Sequence, residues 1–186
     1  MSDGLRHFLT SVTGWLDSAG VPYMVAGSFA STLHGRPRST QDVDIVIDPT
    51  LSQLQAFIAA VPADRAYIDE QTATEALHAR DMFNVIDMES GWKADLIIRK
   101  ARPFSIRELE RRVLADWDGL KVYVASPEDV VLTKLEWSRM SGGSERQLAD
   151  VAGILEALGD DLDFDYIDEW LDELRVRDEW KRVRGE

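Results

Sequence analysis

Residues 23–48 read YMVAGSFASTLHGRPRSTQDVDIVID, and the fold turns on how this stretch divides. An apolar run, YMVA, stops at Gly27-Ser28. A helix-like piece, SFASTLHG, closes at Gly35, and a second apolar run, DVDIVID, carries Asp42 and Asp44. The β-branched content and alternation of the second run predict a strand. Residues i and i+2 of a strand share a face, so Asp42 and Asp44 project together while Val43 and Ile45 turn to the core. Two carboxylates this close repel each other unless a cation lies between them. A merely solvated strand face is the alternative, against which the flanking apolar run is too continuous. Magnesium suits such a pair, because it takes a near-octahedral oxygen shell from one or two carboxylates, phosphate oxygens and water. Upstream, the Gly27-Ser28 turn presents backbone N–H groups and a hydroxyl at a helix N-terminus, where phosphate is attracted. Glycine there lets the backbone approach a ligand closely. The two halves together suit a metal-bound triphosphate.

On either side of this stretch the apolar spacing predicts further elements. Leu5, Phe8, Leu9, Val12 and Leu16 recur at helical spacing, and Gly20 ends that helix. TLSQLQAFIAAV reads as a helix after Pro49, and FNVIDMESGWKADLIIR as a hairpin with its turn near Glu89-Ser90-Gly91. SIRELERRVLADW is expected to be helical and LKVYVA a strand. SPEDVVLTKLEWSRM opens with a good helix start: Ser126 can cap, Pro127 fits the first helical position, and Glu128 and Asp129 favour the positive end. SERQLADVAGILEALG and DFDYIDEWLDELRVRDEW make the last third mainly helical. Strands interleaved with helices, then helices alone, predict an α/β core over 1–125 and a helical part over 126–186 packed on it.

The chain of 186 residues suits one compact domain with a small helical appendage. No stretch approaches the ~20 apolar residues of a membrane span. The N-terminus is amphipathic rather than a basic start before an apolar core, which argues against a signal peptide. Without cysteine there is no disulfide framework or thiolate metal site, and a cytoplasmic location is the expectation. A net charge of −13 argues against tight non-specific nucleic-acid binding, though not against a local basic footprint. Basic residues do cluster over 99–112 and again over 175–184, where solvated helix faces are the simpler reading.

Several single residues stand out. A third carboxylate on a neighbouring strand would allow a second metal to clamp the attacking and leaving oxygens of a displacement, and Asp95 in WKADLII is on a strand of the right kind. Lys134, at roughly 100° per residue, falls within the arc of Val130, Val131 and Leu135, where a lysine is out of place. It either snorkels, stem on the core and head in water, or directs its charge into a cleft. Replacing it by Met is expected to keep stability under both readings. Asp150 lies at the edge of the stripe of Leu148, Val151, Ile154 and Leu155, where an ordinary surface acid is equally natural. Arg36 and Arg38 fall between the turn and the strand, placed either to touch phosphate or to pair with the many acids. His34 reads as a helix-end residue rather than a base.

With these residues in place, the chain resembles the nucleotidyltransferase-fold superfamily, whose minimal signature is a Gly-Ser turn, a spacer, Asp-x-Asp and a third Asp on a later strand. Here these are Gly27, Ser28, Asp42, Asp44 and Asp95. Within the superfamily it is most similar to the AbiEii-like toxins of bacterial toxin–antitoxin and abortive-infection systems. The similarity runs through GSFASTLHGRPRSTQDVDIVID, FNVID, GWKADLIIR, SPEDVVLTKLEW and SERQLADVAGIL. The resemblance implies a mixed sheet flanked by helices and a Mg²⁺-dependent transfer of a nucleotide from an NTP, with one or two ions on Asp42, Asp44 and Asp95. It implies that Lys134 and Asp150 match a catalytic lysine and a further aspartate of the helical part. It also implies an acceptor that is RNA, such as a tRNA 3′ end, or a protein hydroxyl, and a cognate antitoxin as partner. A catalytically silent nucleotide sensor or protein-binding module of the same fold is the competing expectation. A Rossmann reading fails because GSFAST lacks the Gly-x-Gly-x-x-Gly spacing.

Overall fold

The structure, a computed structural model, describes residues 3–36 and 42–186. The apolar stripe of the first segment forms helix α1 (Asp3–Ser18), with Phe8, Leu9, Val12 and Leu16 buried. Strand β1 (Tyr23–Val25) follows, then helix α2 (Gly27–His34) and strand β2 (Asp42–Ile47). Helix α3 (Leu51–Ala60) starts at a capping box in which Thr50 and Gln53 satisfy each other's backbone N–H groups. Strand β3 (Ala66–Ile68) and helix α4 (Glu70–Ala79), capped by Asp69, are elements that the sequence periodicities above do not reach. The hairpin β4 (Met82–Asp87) and β5 (Lys93–Ile98) turns at Asp87–Ser90, where the Asp87 carboxylate accepts from Ser90. Helix α5 (Pro103–Glu110), strands β6 (Val113–Trp117) and β7 (Leu120–Val124), and helices α6 (Pro127–Met140), α7 (Glu145–Leu158), α8 (Phe164–Leu171) and α9 (Arg177–Arg184) complete the chain.

One expectation is corrected here. The helix read into SIRELERRVLADW ends at Glu110, and Val113–Trp117 is a strand. Its partner lies across a two-residue loop, Asp118-Gly119, with φ of 52° and 82° and Trp117 opposite Leu120. Positive φ at both loop residues is the geometry that Asp-Gly favours in tight hairpins. β6 is an edge strand with Val113, Leu114 and Asp116 exposed, so it lacks the buried alternation that marks a strand.

The described residues form two compact units. The first comprises those of Met1–Val25 and Thr40–Val124. Its sheet has the strand order β3-β4-β5-β2-β1-β7-β6, mixed because β2 pairs with β5, and β1 with β7, in parallel while the other pairs are antiparallel. Phe8, Leu16, Met24, Ile45, Ile47, Leu54, Phe57, Leu96, Ile98 and Phe104, from strands and helices alike, are fully buried and make its core.

The second unit comprises the described residues of Ala26–Ser39 and Ala125–Glu186. α2, which the sequence groups with the first part of the chain, thus belongs to the helical unit, where it packs on α6 and α7. The α2–α7 approach is close. A Cβ on Gly35 would stand 3.0 Å from backbone atoms of Gly153 and Ile154. α6 begins as expected, with the Ser126 hydroxyl accepting from Asp129 N–H. Glu128 and Asp129, however, are buried rather than facing water. The Asp129 carboxylate accepts from Ser126 and from the Tyr166 hydroxyl, at 2.7 and 2.6 Å, which ties α6 to α8.

Candidate functional site

β2 and β5 have the same alternation of exposure, with Val43, Ile45 and Ile47 buried on one strand and Ala94, Leu96 and Ile98 on the other. Their parallel register sets Asp44 beside Asp95 and Asp42 beside Lys93. Asp42, Asp44, Lys93 and Asp95 therefore share the face opposite the buried side chains. β4 adds Asn84, in register with Asp95, and its side-chain amide donates to Asp95 Oδ1 at 2.6 Å. Asp42, Asp44 and Asp95 were legible in the sequence, and the register brings them onto one patch.

Lys93 and Asn84 were missed. Lys93 Nζ lies 3.0 Å from Asp95 Oδ1 and 3.6 Å from Asp42 Oδ2. Its hydrogen bond to Asp95 holds the ammonium pKa above the ordinary value, opposed by partial burial and aided by Asp42. The signal was available: Lys93 precedes Asp95 by two on a predicted strand and so shares its face. The register that sets it against Asp42 was not.

Among the described residues no group of three His, Asp or Glu side chains is gathered closely enough to hold a metal ion. The patch is therefore not a closed cage. Its donors are hard carboxylate oxygens on adjacent strands, and a cation, the Lys93 ammonium, already lies between two of them. That chemistry fits magnesium, which needs only one or two carboxylates when phosphate oxygens and water supply the rest.

The helical unit holds the other candidates. Gly27 opens α2 with φ of +57°, a left-handed conformation that glycine adopts without strain. Ser28 follows in the first turn. Lys134 on α6 and Asp150 on α7 meet in an ion pair, Nζ to Oδ2 at 2.8 Å, with side chains only 5% and 10% exposed. Two alternatives fall away: the Lys134 head is not in water, and Asp150 is not an ordinary surface acid. His34, at the end of α2, uses Nε2 to donate to the Ala125 carbonyl at 2.8 Å, and burial pushes its pKa down. It is a helix-end residue, as expected. Arg36 pairs with Glu156. Arg38 lies outside the described residues.

The basic clusters are largely engaged within the chain. Arg99 pairs with Asp48, Arg107 with Glu110, Arg177 with Asp168 and Asp172, and Arg182 with Glu145. Arg112 donates to the Leu109 carbonyl and covers the Tyr123 ring. These pairings favour the solvated-face reading over a nucleic-acid footprint.

The fold can be set against solved structures. A nucleotidyltransferase-like antigenic protein from Paracoccidioides brasiliensis superimposes with a TM-score of 0.57 at 20% identity, over 84% of this chain and 76% of that one. The antibiotic-resistance factor ANT(2'')-Ia, in a crystal structure with adenylyl-2''-tobramycin, gives 0.58 at 11% identity, over 92% of this chain and 97% of that one. The lincosamide antibiotic adenylyltransferase LnuA, with lincomycin bound, gives 0.53 at 14% identity, over 83% and 96%. This is a nucleotidyltransferase-like fold. Comparison with protein-family models and with curated protein sequences finds no match. At these identities the likeness of this chain to its neighbours is one of fold. No helix among the described residues is long and apolar enough to cross a membrane.

Proposed function

We propose that the protein is a Mg²⁺-dependent nucleotidyltransferase that moves an NMP from an NTP to an acceptor hydroxyl. What supports this most is the β2–β5 register, which sets Asp44 beside Asp95 with Asp42 on the same face of a nucleotidyltransferase-like sheet. Asp42, Asp44 and Asp95 hold one or two Mg²⁺ ions, which when bound supply positive charge against the triphosphate. Gly27 and Ser28 take the β- and γ-phosphates, and Arg38 contributes to the nucleotide site. The acceptor oxygen bonds to the α-phosphorus, and the bond from that phosphorus to the bridging oxygen of the β-phosphate breaks. Pyrophosphate leaves, and the hydroxyl proton passes to a carboxylate of the set. Asn84 keeps the Asp95 carboxylate oriented through its 2.6 Å hydrogen bond. Lys134, aligned by Asp150, stabilises charge as it develops. Catalysis of this kind is mostly positioning and electrostatics.

By resemblance to the AbiEii-like group, the acceptor is an RNA, with a tRNA 3′ end the first choice and a protein hydroxyl the second. On the same ground the protein acts as a cytoplasmic toxin held in check by an antitoxin. The neighbours named for antibiotic adenylylation widen the acceptors worth testing to small hydroxylated molecules. One observation favours a silent, nucleotide-binding module instead. Lys93 already offsets the charge of Asp42 and Asp95, so the acids do not need a metal to coexist.

Incubating the protein with each α-labelled NTP, Mg²⁺ and total tRNA, lysate or aminoglycoside separates the readings. Labelled acceptor that vanishes in Asp42→Ala supports the transferase. NTP binding without label in any acceptor supports the silent module.

A further inference from the structure

The carboxylate face carries its own cation. Lys93 Nζ is 3.0 Å from Asp95 and 3.6 Å from Asp42, and its side chain remains one-third exposed at 33%. A divalent ion ligated by those two acids would sit at about 2.0–2.1 Å from the same oxygens. Ion and ammonium would then share the same carboxylate oxygens, and a doubly and a singly charged cation held ~4 Å apart repel by tenfold or more in affinity even at the dielectric of water. The two cations therefore compete for these oxygens, and the one on a flexible four-carbon stem is the one that moves. The pair with Asp42 is exposed on both sides, so leaving it costs little, and Asp95, 13% exposed, keeps the Asn84 amide as a donor when the ammonium leaves.

We propose that Lys93 is an exchangeable internal counter-ion. It holds Asp42 and Asp95 together in the metal-free protein and discourages a bare divalent ion. It gives way when a nucleoside triphosphate arrives with the ion and brings phosphate oxygens to complete its shell. Metal and nucleotide then bind as one complex rather than in sequence. This inference rests on the transferase reading of the same acids.

Mn²⁺ is the probe, with free ion read by electron paramagnetic resonance, in the presence and absence of a non-hydrolysable ATP analogue. Lys93→Met is expected to bind Mn²⁺ alone about tenfold or more tighter than the wild type. Lys93→Arg, which keeps the charge, is expected to bind it as weakly as the wild type. Unchanged or weaker Mn²⁺ binding by Lys93→Met overturns the proposal. In the unaltered protein, acylation of Lys93 by a lysine-directed reagent, read by mass spectrometry, should rise when Mn²⁺ and the analogue are added together; no rise also overturns it. Asp42→Asn separates the two levels of the argument. If that variant loses Mn²⁺–nucleotide binding while Lys93→Met matches the wild type, the Lys93 role alone fails. If Asp42→Asn binds as the wild type does, the transferase reading of the acids fails with it.

Discussion

Two ion-paired lysines invite comparison. Lys93, on β5, faces Asp42 and Asp95 with a third of its side chain in solvent, whereas Lys134, on α6, meets Asp150 with almost none. The distances are similar, and the environments are not. In the first cluster Asp95, at 13%, is about as buried as Asp150, but water shares the work of solvating Lys93 and Asp42, so that pair is exchangeable. In the buried pair each charge is largely cut off from water, so removing one partner is costly for the other. A carboxylate cluster suited to taking up ligands and a pair suited to fixing two helices thus differ mainly in access to solvent.

The largest expected effect breaks the buried side of this contrast. Asp150→Ala removes the carboxylate 2.8 Å from the buried Lys134 ammonium and is expected to cost about 3–5 kcal/mol in chemical denaturation. Lys134→Met in the same chain should recover much of that loss. Lys134→Met alone should also destabilise, because it takes away the ammonium 2.8 Å from the buried Asp150 carboxylate. This replaces the expectation, drawn from the sequence, that the substitution keeps stability. If Asp150→Ala melts like the wild type, the pair is not holding α6 to α7.

On the exposed side, Asp95→Ala should lower nucleotide transfer by ~10²-fold or more, the scale of losing a preorganised charge-handling group. Its unfolding free energy should fall by no more than about 1–3 kcal/mol, since Lys93 keeps Asp42 and water while the Asn84 amide loses its acceptor. No gain in melting temperature is expected, because Lys93 already offsets the repulsion that a substitution would relieve. Unfolding of this variant would make the acid structural and erase the contrast.

A volume test sharpens the helical side. Gly35→Ala puts a methyl 3.0 Å from the backbone of α7, and overpacking of this kind costs about 1–3 kcal/mol. The shift is read by the same denaturation experiment.

The smallest effect is a pH dependence. Burial lowers the folded-state pKa of His34 below its ordinary 6.5, so the folded protein binds fewer protons than the unfolded chain in that window. The stability contributed by neutral His34 is present above pH 6.5 and is lost as pH falls through the folded pKa. His34→Gln should flatten that part of the stability profile. An unchanged slope would show that the ring is not held neutral against the Ala125 carbonyl.

How much of this was legible depended on whether the signal was local. The alternation over Asp42–Ile47 declares a strand because one face is buried and the period is two. Ser126, Pro127 and the following acids declare a helix start because the orphan N–H groups are satisfied within a few residues. β6 was misread because an edge strand, exposed on Val113 and Leu114, buries too little to impose a period. Its Asp118-Gly119 loop was the better sign. Lys134 was visible as an anomaly on an apolar arc, but its resolution by Asp150 came from another helix.

The sequence by itself determined which side chains share a face within the elements it declares, and therefore that Asp42 and Asp44 project together and that Lys134 falls on an apolar arc. Tertiary structure alone decided the partners: Asp44 against Asp95, Lys93 between Asp95 and Asp42, Asn84 on Asp95, and Asp150 on Lys134. The physical reason is that facing follows from backbone geometry within a few residues. Pairing across strands and helices is set by register and packing, which depend on the whole buried core.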